Sequence, residues 1–515
     1  MPVPTEGRFQ RLLHQFVCHN STGVAIKHPL FLHVLVEIFG PVRGHPGPAR
    51  CVGVTQCAQV RICLLTLLLV VPALAQSGAQ DSGQSSDDDL RVYTDTPRLF
   101  LTQARLRLLQ RERDRKSLRW EQFDLLMSGG AKMPEPGFAG ALYYRVGGDA
   151  GAGRRAVEWA MGEMAQDLRQ LALVYDWCGP VMTPAQAEQL GAKIERALAS
   201  SPSSAARAPA DRDMTQESAR VLAAIAIADR FQDHGEAVLK PIIERWRAFA
   251  KRLEAGEAAI PRGDIYALFE MLHAIRDNLK IDLREDARRY FRELPLDHMA
   301  SHYPAPFQAP ENEYHVPVFV RDGDPDVNEA ALSRAAELAM VAFDANEAGN
   351  QYLQGWLMQD RFLMRGALGA PYEFLWANPY QPGLSYSQAP LVVHDPVSGH
   401  LFARTSWDED ATWIGYFDGH LQLFRGGRIT VLRSGAASDP VRVGEAAVLS
   451  VSKQEAGKFH VNTQQTFVLG LAPHAVYDVE VDDEELSEGE TDNGGTLVLT
   501  LPEGIDAGAR VRKRE

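Results

Sequence analysis

Cysteine is scarce in this 515-residue chain, and most of it lies where no disulfide framework would use it. Four of the five, Cys18, Cys51, Cys57 and Cys63, fall in the first 63 residues, which leaves Cys178 alone in the remainder. One thiol cannot close an internal bridge, so the bulk of the chain must be stabilised by burial. A basic surplus is missing too: 53 Lys and Arg stand against 67 Asp and Glu, for a formal net charge of −14. Without a positive field to attract phosphates, nucleic acid is excluded as the expected partner. No strict internal repeat occurs, and no G-x-x-x-x-G-K-[ST], H-E-x-x-H, C-x-x-C or G-x-S-x-G signature is present, so the chemistries those motifs carry lose their usual residues.

Long apolar runs are also wanting. Ile62–Val71 is about ten residues, half of the roughly 20 that a spanning helix needs. Arg61 precedes it, and Ala73-Leu74-Ala75 follows before Gln76, the pattern of a secretory leader with an A-x-A cleavage site. The expectation is an exported protein, secreted or periplasmic, cleaved near Ala75-Gln76, with no stable membrane insertion afterwards. Residues 1–59 then read as an extension from a start assigned too far upstream, and 60–75 as the leader. The lost part carries six basic and two acidic residues, so the mature charge falls to −18. Residues 76–92, rich in Ser, Gly and Asp, read as a flexible segment.

At this length two or three domains are expected. Residues 93–380 carry helical patterning with about eleven helices. Thr183-Pro184 supplies an N-cap and an N1 proline, and Asp213 with Gln216 a capping box. The run Val221–Ala228 is apolar on every face and belongs inside an assembly of helices. From 381 to 515 short β-rich runs alternate with turn signals, as in Val476-Tyr477-Asp478-Val479-Glu480-Val481, which predicts an antiparallel sandwich. Asp418-Gly419 is a hairpin signal. Asp482–Asn493 reads as an acidic turn, and Arg510–Arg514 as a fraying tail.

Several stretches resemble heparinase II/III-like polysaccharide lyases and related alginate lyases: Pro97–Thr102 (PRLFLT), Ala172–Gly179 (ALVYDWCG), Phe402–Trp407 (FARTSW), and Gly470–Pro473 followed by Tyr477–Val481 and Leu497–Leu501. The resemblance implies an α+β multidomain fold, an (α/α) toroid followed by an antiparallel β-sandwich, with a carbohydrate cleft where they meet. It further implies β-elimination on a uronic-acid polysaccharide. Such a lyase must neutralise a carboxylate, supply a base for the C5 proton and supply an acid for the leaving oxygen.

Glu311-Asn312-Glu313-Tyr314-His315 resembles the family's acidic Tyr-His stretch at a helix start. It would make Tyr314 base and acid, with His315 stabilising charge and Asn312 and Glu313 holding sugar; the alternative is a pair that packs a loop. His273 is a third catalytic candidate or a core histidine. Arg212 is placed to meet a carboxylate. Trp376, Tyr380 and Tyr386 offer faces for sugar rings or staple the domains together. The family's Asn-His pair is absent where Asp211–Glu217 stands, and its His-x-His-x-Asp strand is reduced to His420. Two other readings therefore stay open: a glycoside hydrolase on the same scaffold, with carboxylates drawn from Glu311, Glu313, Asp213 and Glu217, or a glycan-binding relative without activity. The expected partner is a polysaccharide or oligosaccharide. No cofactor is expected, and a structural divalent cation enters only through acidic turns such as Asp408-Glu409-Asp410.

Overall fold

The computed structural model describes residues 90–515, apart from Tyr93, 201–212, 319–321, 433–439, 452–456, 483–484, 502–505 and Glu515. The expected extension, the leader, most of the 76–92 segment and Arg212 lie outside the described residues. No described helix is long and apolar enough to cross a membrane.

Thirteen α-helices come first among the described residues. They are α1 (Gln103–Asp114), α2 (Leu118–Ser128), α3 (Pro136–Gly147), α4 (Ala150–Met161), α5 (Leu168–Trp177), α6 (Pro184–Ser200) and α7 (Met214–Ala226). After them come α8 (Ala228–Glu254), α9 (Ile265–Leu279), α10 (Arg288–Ala300), α11 (Ala330–Phe343), α12 (Ala348–Gln359) and α13 (Gly366–Trp376). Their starts follow the sequence signals. Thr102, Ser117, Asp149, Asp167 and Asp213 each accept a first-turn amide. Thr183 and Gln186 cap each other reciprocally at α6.

Alternate helices touch in order: α3 to α5, α5 to α7, α7 to α9, α9 to α11, α11 to α13, and α13 back to α3. That arrangement explains why Val221–Ile227 and nearly all of α9 are buried: a helix flanked on several sides needs more than one apolar face. A polar seam crosses the series. Arg169 on α5 grips Glu270 on α9 through both its Nε and a terminal nitrogen and reaches Glu135 ahead of α3 at 3.2 Å. Tyr372 on α13 donates to Glu135, and Tyr266 donates to Glu270. Two of the stretches that carry the family resemblance meet as well. The Arg98 and Leu99 amides donate to Asp176, and the Trp177 indole donates to the Leu99 carbonyl.

A two-strand ribbon, β1 (Phe307–Gln308) with β2 (Glu313–Tyr314), interrupts the helices. Past the last helix, β3 (Val392–Asp395), β4 (His400–Arg404), β5 (Trp413–Phe417), β6 (His420–Arg425) and β7 (Arg428–Leu432) form an antiparallel meander. The next sheet has the order β14 (Leu497–Thr500), β11 (Gln465–Leu469), β9 (Ala446–Ser450), β8 (Val441–Val443). The third has the order β10 (Gly457–Val461), β15 (Ala507–Lys513), β12 (Val476–Val481), β13 (Glu485–Glu490). Leu401, Ile414 and Tyr416 of the meander share a core with Val448 and Phe467 of the second sheet. That sheet's other face, with Leu449 and Val468, packs on Tyr477, Val479 and Val511 of the third. Phe402, Trp413 and Phe424, on the far face of the meander, pack on Ala300 and Tyr303 at the end of α10.

Several expectations are corrected. The β part stacks three sheets instead of two, and β9 pairs with β11 in parallel. The tail around Arg510 does not fray: as β15 it is paired on both sides. Within the acidic segment, Glu485–Glu490 is a strand beside β12. Thirteen described helices stand where about eleven were expected, and α13 forms despite Gly366, Gly369 and Pro371 because burial outweighs propensity there. Helix α10 runs through Pro295, a residue that usually ends or kinks a helix.

Where α12 meets the linker to the sheets, backbones approach closely. A Cβ on Gly355 would lie 1.8 Å from the Leu384 carbonyl oxygen. Gly355→Ala is expected to destabilise the protein by about 1–3 kcal/mol in urea melts, since backbone cannot yield cheaply. Gly179→Ala, with open space around the added methyl, should leave the midpoint unchanged; equal effects would refute the close-approach account.

Candidate functional site

The stretch expected to catalyse is a structural tie. Glu311 accepts the Leu368 and Gly369 amides at the start of α13, where a carboxylate complements the helix N-terminus. Asn312 donates to the Leu363 carbonyl, and Glu313 is exposed on the ribbon edge. Tyr314 is 2% exposed, and among the described residues its hydroxyl has no hydrogen-bond partner. Burial pushes that phenol up to about 12, so it does not accept a proton near neutral pH. His315 has both ring nitrogens engaged, Nδ1 with Asp360 at 3.2 Å and Nε2 with the Pro304 carbonyl at 3.1 Å.

His273 is a core histidine. Its Nε2 meets the Ala339 carbonyl, Arg276 faces its Nδ1, and the Phe343 and Trp376 rings close over it. Burial drives its pKa well below the ordinary value, with Arg105 and Arg276 adding to the effect. Trp376 is buried, covered by Arg105 at 4.7 Å, and donates to Tyr266. Tyr380 is exposed and donates to Glu112. Tyr386 lies apart from them, against Trp407. These residues do not converge on one centre. Cys178 is buried with its thiol pushed up to about 12, which removes it as a nucleophile.

Sequence reasoning missed the cavity of about 450 Å³ between α10, the loop before α9 and the β3–β4 and β5–β6 turns. Four carboxylates line it, Glu293, Asp297, Asp395 and Asp418, against two arginines, Arg262 and Arg289. Arg289 is held by Asp395 at 3.0 Å and by Glu293. Arg262 stands 3.8 Å from Asp297 and donates to Ser301. His400 lies between two acids, its Nδ1 4.0 Å from Asp297 and its Nε2 3.7 Å from Asp418. One oxygen of Asp297 is buried without a hydrogen bond among the described residues. Asp418 sits at the lip because Asp418-Gly419 makes the two-residue hairpin the sequence signals, both residues at positive φ. Tyr290 closes one wall, its phenol pushed up by burial.

Beneath the cavity lies a buried polar cluster. His298 and His302 both face one oxygen of Glu337, at 3.2 and 2.9 Å, and Arg334 pairs with the other at 2.9 Å. Arg334 also binds Asp360, which joins this cluster to His315. The Arg334 guanidinium and the histidines hold the Glu337 carboxyl far below the usual range against the opposing effect of burial. A second cavity, of about 690 Å³, lies near the end of α13 and differs in sign: Arg105, Arg111, Arg115 and Arg276 surround it with Trp376 and Tyr380, against Asp277.

No family model and no curated protein matches this chain. Among solved structures, one described as a glycoside hydrolase aligns over 74% of this chain and 71% of its own, at 8% identity and a TM-score of 0.27. A GH127 beta-arabinofuranosidase aligns over 82% and 79%, at 10% identity and a TM-score of 0.21. Likeness at that level says nothing of the reaction, which must be read from the residues.

Next to Tyr314, Glu373 on α13 is 3% exposed and accepts the Met364 amide at 2.7 Å. Burial pushes its carboxyl up to about 7. A folded pKa above the unfolded one means that protonation favours folding. The contribution is complete below pH 4.5 and is lost as pH rises to 7, by roughly 2–3 kcal/mol. Urea melts should show this decline for the wild type and a flatter profile for Glu373→Gln. Parallel profiles would contradict the assignment.

Proposed function

We propose that the chain is a carbohydrate-active enzyme that hydrolyses a glycosidic bond in the cavity between α10 and the β3–β6 meander. The observation that carries this reading is the pair Asp297 and Asp418 on opposite edges of the His400 imidazole, which keeps them within roughly 10 Å, the range of glycosidase carboxylates. Asp297 is the more buried and serves as proton donor to the leaving oxygen. Asp418, about half exposed at the hairpin lip, stands where water and the sugar ring enter. Carboxylates outnumber arginines in the lining, which suits a neutral glycan better than a polyanion. The order of helix contacts supports an (α/α) toroid as the scaffold, with the cavity where it meets the first sheet.

The second reading, β-elimination on a uronate polymer, draws on the arginine-lined cavity, where a sugar carboxylate would find bidentate partners and an aromatic wall. Product chemistry separates the two. Hydrolysis releases reducing ends without ultraviolet absorbance, and elimination leaves an absorbing unsaturated uronate. A panel of neutral and uronic glycans should yield reducing ends only, with Asp297→Asn lowering kcat/KM roughly 10²–10⁴-fold. An absorbing product, abolished by Arg276→Ala and indifferent to Asp297→Asn, would replace the hydrolase reading with the lyase one.

A further inference from the structure

The cluster of His298, His302 and Glu337 carries more than a packing role. Each offers one ligand atom, all three residues are at most 1% exposed, and the three atoms lie within 4.8 Å of one another. His302 Nδ1 is 2.8 Å from the His298 carbonyl oxygen, so that nitrogen must carry a hydrogen. A neutral imidazole held that way turns the lone pair of Nε2 toward Glu337 Oε1 at 2.9 Å, an acceptor facing an acceptor. His298 brings its Nε2 to 3.2 Å from the same oxygen, and among the described residues its Nδ1 is buried without a partner, so no carbonyl fixes its tautomer. A cation among the three atoms converts the repulsive His302 contact into bonds, and His298 in its Nδ1–H form supplies the remaining lone pair. An Nδ1–H donated to a main-chain carbonyl is also how ligating histidines are commonly oriented.

Tetrahedral zinc with bonds of about 2.0–2.1 Å sets its ligands about 3.3 Å apart, close to the 2.9 and 3.2 Å found between the nitrogens and the carboxylate oxygen. Two imidazoles and one carboxylate favour zinc or a similar first-row dication over calcium or magnesium.

We propose that His298, His302 and Glu337 form a zinc-type site that ties the end of α10 to α11 beneath the junction cavity. Arg334 is its positioning residue, holding the second Glu337 oxygen. The proposal stands whether or not the hydrolase reading does, because its readout is metal content and stability.

The test uses the full chain, stripped with chelator and titrated with zinc chloride in a calorimeter. One zinc per chain is expected, with a rise in Tm, and cobalt in its place should give the intense visible bands of a tetrahedral site. His302→Gln should weaken zinc by more than the roughly 10–100-fold that loss of an outer partner costs, while His460→Ala, at an exposed histidine, should not. Should His302→Gln fail to fold, X-ray absorption of the zinc-loaded wild type decides, through two imidazole nitrogens in the first shell. No binding and no change in Tm would overturn the site and leave an imidazolium–carboxylate pair. Undiminished binding by folded His302→Gln, or a shell without imidazole, would equally overturn it as adventitious surface zinc.

Discussion

The end of α10 is gripped by side chains from the first sheet, and the cavity and the histidine cluster both depend on that grip. The Ala300 carbonyl accepts from the Trp413 indole at 2.9 Å and from Arg404 at 3.2 Å, and Arg404 also reaches the His302 carbonyl at 2.6 Å. Helix C-termini leave carbonyls unpaired, and a guanidinium answers both the missing donors and the dipole. Among the described residues no carboxylate pairs with Arg404; it is buried, stacks on Trp407 at 4.0 Å, and has its pKa pulled down by burial. The energetic justification for burying such a charge is the set of carbonyls it satisfies.

Consequences follow along one turn of helix. Asp297 and His298 lie just before Ala300, one facing the junction cavity and the other shared between cavity and cluster. Ser301 and His302 come just after, with Val318 and Tyr303 hydrogen-bonded back across the turn. Tyr303 then donates to Gln422 on β6, adding a second link between the helix end and the meander. The acids of the cavity thus come from both sides of the helix–sheet junction, and their separation is fixed by that one docking. Polar groups deeper among the helices, such as Arg169 with Glu270 and Glu135, are saturated by one another and read as framework.

Much of the architecture was legible because it rests on local rules. N-caps, the apolar Val221–Ala228 helix and the Asp418-Gly419 hairpin are encoded within a few residues. The site was another matter. No local motif ties His298 to His302, since the helix end that spaces them lies beyond Pro295, and Glu337 joins them from a different helix. Asp297, His400 and Asp418 likewise come from three elements, and only the tertiary fold unites them. Tyr314-His315 had the more suggestive local text, yet burial of Tyr314 and the two hydrogen bonds of the His315 ring give the pair a structural role.

The central claim is that sheet side chains hold the end of α10, and hydrogen exchange on Arg404→Met tests it most directly. The account predicts faster exchange of the Tyr303 and Val318 amides, which donate across the turn after α10, with protection of α5 unchanged. Unaltered protection at Tyr303 and Val318 in a folded variant would show that the helix end stands without the grip, and the account would be wrong.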